Sequence, residues 1–242
     1  MKKNQDHPAT LSAFQKRVSI SFKNQALLET AFTHRSYLNE TRSPKGKNGE
    51  REHNERLEFL GDAVLELIVT DLLFKQYPSA SEGDLTSYRA ALVNAVMLGG
   101  IAETLGMNDC LLLSRGEAKD TGRARATILA NTFEAVVGAL YLDRGIEEVF
   151  RFVSAHVMPH MTEVLQEGTW RDSKSLFQEF AQAKYGITPT YDVLRADGPD
   201  HDRHFVVGLS VGETDIAEGE GKSKQEAEQD AARKALDESE KK

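Results

Sequence analysis

A single cysteine, Cys110, stands in a chain of 242 residues. It cannot close an internal disulfide, and with no Cys/His cluster there is no zinc site of the usual spacing. Its neighbours Leu111, Leu112 and Leu113 point to a buried structural thiol rather than a reactive one. Long apolar runs are missing as well. Nothing approaches the about 18 consecutive apolar residues of a membrane span, and the opening MKKNQDHPATLSAF lacks the apolar stretch of a secretory signal. The expectation is a cytoplasmic protein with no membrane association. The third shortage is positive charge: 30 Lys and Arg face 38 Asp and Glu, a net of −8. From Asp172 onward the balance is 10 against 16, so neither half is basic. Phosphate binding normally rests on a basic surface. Any nucleic-acid contact here must therefore use small basic patches and helix ends, with divalent cations offsetting acidic groups and a marked salt dependence.

What is present is ordinary for a globular protein, 40 % hydrophobic and 28 % charged, so a sizeable core is available. Apolar residues at i, i+3 and i+4 predict helices over Gln25–Thr33, Glu55–Gln76, Glu82–Leu105, Ala124–Leu142 and Ile146–Gln166, making the first two thirds all-α. Two polar loops interrupt them. Thr41 to His53 (TRSPKGKNGEREH) carries Arg42, Lys45, Lys47 and Arg51, and Ser114 to Arg125 (SRGEAKDTGRAR) precedes a later helix. Each is either a solvated loop or a phosphate contact.

Two helical segments, NERLEFLGDAVLE (Asn54 to Glu66) and ILANTFEAVVGALYLD (Ile128 to Asp143), place acidic residues at helical spacing. At about 100° per residue Glu58 and Asp62 lie on one side of their helix and can share a ligand. Leu57, Leu60, Val64, Leu67 and Ile68 occupy the opposite arc. Asn131 and Glu134, three apart, repeat the arrangement. Carboxylates on the polar face of an amphipathic helix are commonly just a solvated face. Two such sets in one chain could instead build one metal site.

The chain changes character around Glu167 to Ser173 (EGTWRDS), read as a linker. After it, Ser175–Lys184 reads as a helix, Thr190–Ala196, His204–Val211 and Glu213–Gly219 as strands, and Ser223–Leu236 as a helix. Ser223 with Glu226 forms an S-x-x-E capping box, leaving helix amides exposed between Lys222 and Lys224, an end that suits a phosphate.

The wording of these segments, with AFTHRSYLNE (Ala31 to Glu40) and SEGDLTSYRAALVN (Ser81 to Asn94), resembles the bacterial ribonuclease III family in the family's order. GPDH (Gly198 to His201) and GKSKQEAEQDAARKAL (Gly221 to Leu236) resemble a double-stranded RNA-binding domain. The resemblance implies an all-α endonuclease domain over 1–167, a linker at 168–173, a small α-β-β-β-α RNA-binding domain over 174–238 and a tail at 239–242. It implies cleavage of double-stranded RNA with Mg²⁺, or Mn²⁺ in its place, to 5′-phosphate and 3′-hydroxyl ends with short 3′ overhangs. Ribosomal RNA precursors and structured messenger RNAs are the implied substrates. By position, Glu58, Asp62, Asn131 and Glu134 inherit the metal site, with Asp62 and Glu134 catalytic, and Glu55 and Glu82 are candidates for the surrounding shell. Asn131 stands where the family often has aspartate, which removes one negative charge. The RNA-binding role falls on Ser175, Gln178, Glu179 and Gln182 in the first helix, His201 in the strand loop, and Lys222, Ser223 and Lys224 at the last helix, where Gln225 replaces a frequent lysine. The resemblance also implies a homodimer, to which the hydrophobic side of the NERLEFLGDAVLE helix, together with Phe59 beside the acidic arc, would contribute.

Two other classes compete. A protein that keeps the fold and grips duplex RNA without cutting it is favoured only by Asn131. A metal-dependent hydrolase of small phosphorylated molecules leaves GPDH and GKSK without a purpose.

Overall fold

The computed structural model describes residues 7–40, 52–119, 121–167, 172–199 and 203–239. The chain divides into two compact units, Met1–Trp170 and Arg171–Lys242.

The first unit is built from helices α1 (His7–Arg17), α2 (Gln25–Ala31), α3 (Arg35–Glu40), α4 (Glu55–Gln76), α5 (Glu82–Val93), α6 (Ala95–Thr104), α7 (Arg123–Arg144), α8 (Ile146–His156) and α9 (Met161–Glu167). Among its described residues the only extended pairing is an isolated bridge between Thr33 and Leu112. The predicted helix over Glu82–Leu105 is in fact two helices. Asn94 leaves the helical region at ψ 160, its Nδ2 closing α5 on Ala90 O and Ala91 O while its Oδ1 caps Val96 N and Met97 N of α6. Ile146–Gln166 is likewise interrupted, by a 3₁₀ turn at Met158–His160 that contains Pro159. Helices α1 and α3 were not predicted at all.

Helix α7 is the centre of this unit and packs against α2, α4, α6 and α8. Phe133, Ala135, Val136, Val137, Ala139 and Leu140 are fully buried, so the helix is apolar over this stretch on all but the side that carries Glu134 and Gly138. Its partner α4 buries Leu57, Val64, Leu65, Ile68 and Val69. Leu67, read from the helical wheel as part of the buried stripe, is 58 % exposed, because α7 lies against the Gly61 and Val64 side of α4. At the crossing the backbones nearly touch. A Cβ on Gly61 would lie 1.7 Å from Glu134 O, and one on Gly138 would lie 2.2 Å from Leu57 O. Cys110 is buried, its Sγ near Thr10 O, and burial pushes its thiol up to about 11, as expected of a structural thiol.

The second unit runs α10 (Ser173–Tyr185), β1 (Thr190–Asp197), β2 (His204–Val211), β3 (Thr214–Gly221) and α11 (Lys224–Ser239). The strands form one antiparallel sheet in the order β1-β2-β3. Its core joins Phe177 and Ala181 of α10 to Leu209 and Val211 of β2 and Ala231, Ala232 and Ala235 of α11. The alternation seen in β2 places Leu209 and Val211 on the helix side, as a half-buried strand requires.

Replacing Gly61 by Ala should cost about 3 kcal/mol, since the clash is with backbone that cannot rotate away. Gly100→Ala on α6, where a Cβ meets nothing within 4 Å, should gain about 0.5–1 kcal/mol from helix propensity. Urea unfolding of the two variants checks the contrast.

Candidate active site and nucleic-acid interface

The close crossing decides which acidic groups meet. Gly61 immediately precedes Asp62, and Gly138 lies one turn beyond Glu134, so the carboxylates of both helices flank the contact. Glu58 and Asn131 join across it, the Asn131 amide donating to the Glu58 carboxylate. Burial and the neighbouring Glu55 push the Glu58 pKa up, the Asn131 hydrogen bond opposes this, and Asp62 adds to the rise. Glu134 is more strongly affected. Burial, followed by the Asp62, Glu58 and Glu66 carboxylates, pushes it up to about 7. The α4 carboxylates lie along the edge of the apolar contact, near the one α7 carboxylate at the crossing, Glu134.

Among the described residues no three His, Cys, Asp or Glu side chains are already gathered closely enough to hold an ion. The donor chemistry nevertheless fits a hard divalent cation: three carboxylates and one amide oxygen. Their mutual repulsion, registered at Glu134, is relieved by a bound cation. The two helices that carry these donors are in direct contact.

The surrounding candidates are placed differently. Glu55 is exposed in the first turn of α4, 3.7 Å from Arg35 Nη1 and 3.8 Å from His53 Nδ1. Glu82 is exposed in the first turn of α5, where it accepts from Thr86 of its own helix, and it is not among the groups that shift Glu58 or Glu134. Glu66 is. It continues the line Glu58–Asp62 by one further turn, a spacing visible in the sequence but not singled out. Its carboxylate pairs with Arg89 Nε of α5 at 2.9 Å.

Of the two basic loops, residues 41–51 lie outside the described residues, so Arg42, Lys45, Lys47 and Arg51 have no assigned place. In the other, Arg115 and Lys119 are exposed. Arg125 turns inward, donating to Glu117 O and Ala118 O. Ser114 N donates to Ser36 Oγ and Arg115 N to Glu40, tying the loop to α3.

In the second unit Ser175, Gln178, Glu179 and Gln182 are all exposed, at a spacing that sets them along one face of α10. Ser175 also helps begin that helix, its Oγ donating to Asp172 at 2.7 Å and its N–H to the same carboxylate. Lys222 and Lys224 are exposed on either side of Ser223, whose Oγ accepts from Glu226 N. The Glu226 carboxylate reaches back to Lys222 N rather than to Ser223 N, a displaced form of the capping box. Lys224 lies 3.8 Å from the buried Glu228, which also binds Lys174 at 2.6 Å. His201 lies outside the described residues, and Gly198, at the start of that loop, has φ 95.

The ribonuclease-III-like family model matches residues 24–161, and the double-stranded RNA binding motif matches 173–239. The chain belongs to the ribonuclease III family. It is 45 % identical to Ribonuclease 3 of Borreliella burgdorferi, over 96 % of this chain and 92 % of that one. Ribonuclease 3 of Bacillus licheniformis is also 45 % identical, over 92 % and 87 %. The solved nuclease domain of ribonuclease III from Campylobacter jejuni superposes with a TM-score of 0.53 at 34 % identity, covering 66 % of this chain and 97 % of that one. The protein is a ribonuclease of this family, an endonuclease of double-stranded RNA, with a helical nuclease domain followed by an RNA-binding domain.

The carboxylate cluster at the crossing carries its own pH signature. The folded pKa of Glu134 lies above the ordinary value of 4.5, so the folded state holds that proton more tightly than the unfolded state does. Without metal, the folded protein therefore loses stability as pH rises from about 4.5 to about 7. Glu134→Gln removes this loss, and its gain over the wild type should grow across that window and level off above it. Urea unfolding in chelator at a series of pH values checks this; parallel profiles for the two proteins would contradict the assigned environment.

Proposed function

We propose that the protein cleaves double-stranded RNA with Mg²⁺, or Mn²⁺ in its place, leaving 5′-phosphate and 3′-hydroxyl ends with short 3′ overhangs. It would act in the cytoplasm on ribosomal RNA precursors and structured messenger RNAs. The observation that carries the reading is the pairing of Glu58 and Asp62 on α4 with Asn131 and Glu134 on α7, in a chain that also holds a duplex-binding domain.

Glu58, Asp62 and Glu134, with the Asn131 amide oxygen, would hold the cation. When bound, such an ion polarises the phosphoryl oxygen and lowers the pKa of water. The chain's own groups do the rest. The crossing fixes the backbones that carry these donors, and side-chain movement would bring the donors together on the ion. Without a cation, burial and the neighbouring carboxylates hold the Glu134 pKa up at about 7; a bound cation would lower it and favour the ionised carboxylate. Asp62 and Glu134 are the residues we assign to catalysis; Glu55 and Glu82 would act from the margin.

In the second domain, spanning 174–238 beyond a linker at 168–173, the exposed face of α10 would meet the RNA minor groove. Lys222, Ser223 and Lys224 at the start of α11 would meet the intervening phosphates, with His201 contacting a second groove. This is a reader of duplex shape. The ion pair from Lys224 to Glu228 and the acidic balance keep its affinity modest and salt-dependent.

A homodimer completes the proposal. Phe59 is 83 % exposed beside a groove of about 780 Å³ whose walls include Ala26, Leu27, Leu60 and Leu142. Ala63 and Leu67 extend the same exposed apolar edge of α4. A two-fold axis would seat each Phe59 in the other protomer's groove and set two equivalent sites on one duplex, each cutting one strand.

Two experiments test these claims. A long perfect RNA duplex incubated with Mg²⁺ should yield staggered, 5′-phosphorylated fragments, and Glu134→Ala should yield none while still binding the duplex. Intact duplex bound by both proteins would mean a binder that does not cut. Phe59→Asp should sediment as a monomer where the wild type sediments as a dimer; a wild-type monomer at assay concentration would overturn the dimer.

A further inference from the structure

Three carboxylates at the crossing would serve a divalent cation, and the fourth position is the neutral Asn131. One turn beyond Asp62, however, α4 carries another acid. At about 100° and 1.5 Å per residue, Glu66 lies about 40° round and about 6 Å along the helix from Asp62, on the same side as Glu58. Glu66 therefore sits beside the α7 contact rather than under it, since α7 covers the Gly61 side of α4. Its carboxylate is close enough to be among the three that raise Glu134.

The orientation of Glu66 is held from a third helix. Arg89 Nε on α5 pairs with Glu66 Oε2 at 2.9 Å, and Arg89 Nη1 donates to Thr70 Oγ1 at 3.0 Å. Thr70 Oγ1 in turn donates to the Glu66 backbone oxygen at 2.7 Å, so guanidinium, hydroxyl and carboxylate form one closed unit. Both charged side chains are about one third exposed, and an ion pair of that exposure adds little to stability. Its position on the acidic line gives it another use.

We propose that Glu66 is a positioning residue of the cation site, supplying from one turn beyond Asp62 the negative charge that Asn131 lacks, with Arg89 holding and tempering that charge. The inference rests on the cation-site reading above. Glu66 acts through the field at the site and through its outer hydration, not as a direct ligand. Outer partners of this kind are worth about tenfold in metal affinity at the lower end.

The test is equilibrium binding of Mn²⁺ alone to the full chain without RNA, read from the EPR signal of the free ion at a pH above the Glu134 value of about 7. Glu66→Gln should weaken binding about tenfold, and adding Asn131→Asp should restore most of that loss, because the missing charge is returned at the neighbouring position. Arg89→Gln, which leaves Glu66 charged and untempered, should tighten binding. Glu134→Gln serves as the control. Unchanged Mn²⁺ binding in Glu66→Gln with a large loss in Glu134→Gln would overturn the role of Glu66 and leave the cation site standing. Equal losses in Glu66→Gln and Arg89→Gln, not rescued by Asn131→Asp, would mean a merely structural pair and also overturn it. If neither Glu66→Gln nor Glu134→Gln altered binding, the cation site itself would fall.

Discussion

The approach of α4 to α7 is the constraint on which the nuclease unit depends. Two long helices meet with no side chain between them at Gly61 and Gly138, where any Cβ would strike the opposite backbone. Close packing elsewhere along α7 is conventional, a rod of Phe, Val, Ala and Leu filling the centre of the unit. At the two glycines, the gain is position. Asp62 and Glu134 are each within one turn of the contact, so groups 72 positions apart in the chain (62 to 134) are held near one another by backbone, which does not rotate away.

That position carries an electrostatic cost. Bringing Glu58, Asp62, Glu66 and Glu134 to the edge of a buried interface raises the Glu134 carboxyl to about 7, and folding must absorb the repulsion. Functional sites commonly hold such tension. Here a divalent cation is the natural release, and Asn131 and Arg89 already moderate the charge, one by neutrality and a hydrogen bond to Glu58, the other by pairing with Glu66. The acidic balance of the whole chain is in keeping with the proposal that a cation, rather than a broad basic surface, offsets phosphate at the cutting site.

Much of this was legible in the residues. The boundaries of α4 and β2 follow from periodicity alone, because a long amphipathic helix and an alternating strand each repeat their signal many times. Helix α1 shows only Leu11 and Phe14 buried over eleven residues, and α3 only Leu38 over six, too few repeats to register. The break at Asn94 was hidden because apolar spacing continues through it, while a side chain capping both helices leaves no mark on the pattern. Leu67 was misplaced because a wheel ranks residues by arc and cannot tell which part of the arc α7 covers. Glu66 went unremarked for a related reason: its spacing from Asp62 was visible, but its nearness to Glu134 depends on the depth of the glycine crossing. Spacing and the family resemblance pointed to Glu58, Asp62, Asn131 and Glu134 as one metal site; that their helices meet backbone to backbone depends on Gly61 and Gly138.

The central claim is that the glycine crossing assembles one hard-cation site from two helices. A crystal structure of the full chain grown with Mn²⁺, with anomalous differences collected at the manganese edge, tests it most directly. The account predicts a peak bounded by Glu58, Asp62, Asn131 and Glu134 beside the contact of Gly61 with Gly138. A peak bound elsewhere, or none at saturating Mn²⁺, would contradict it.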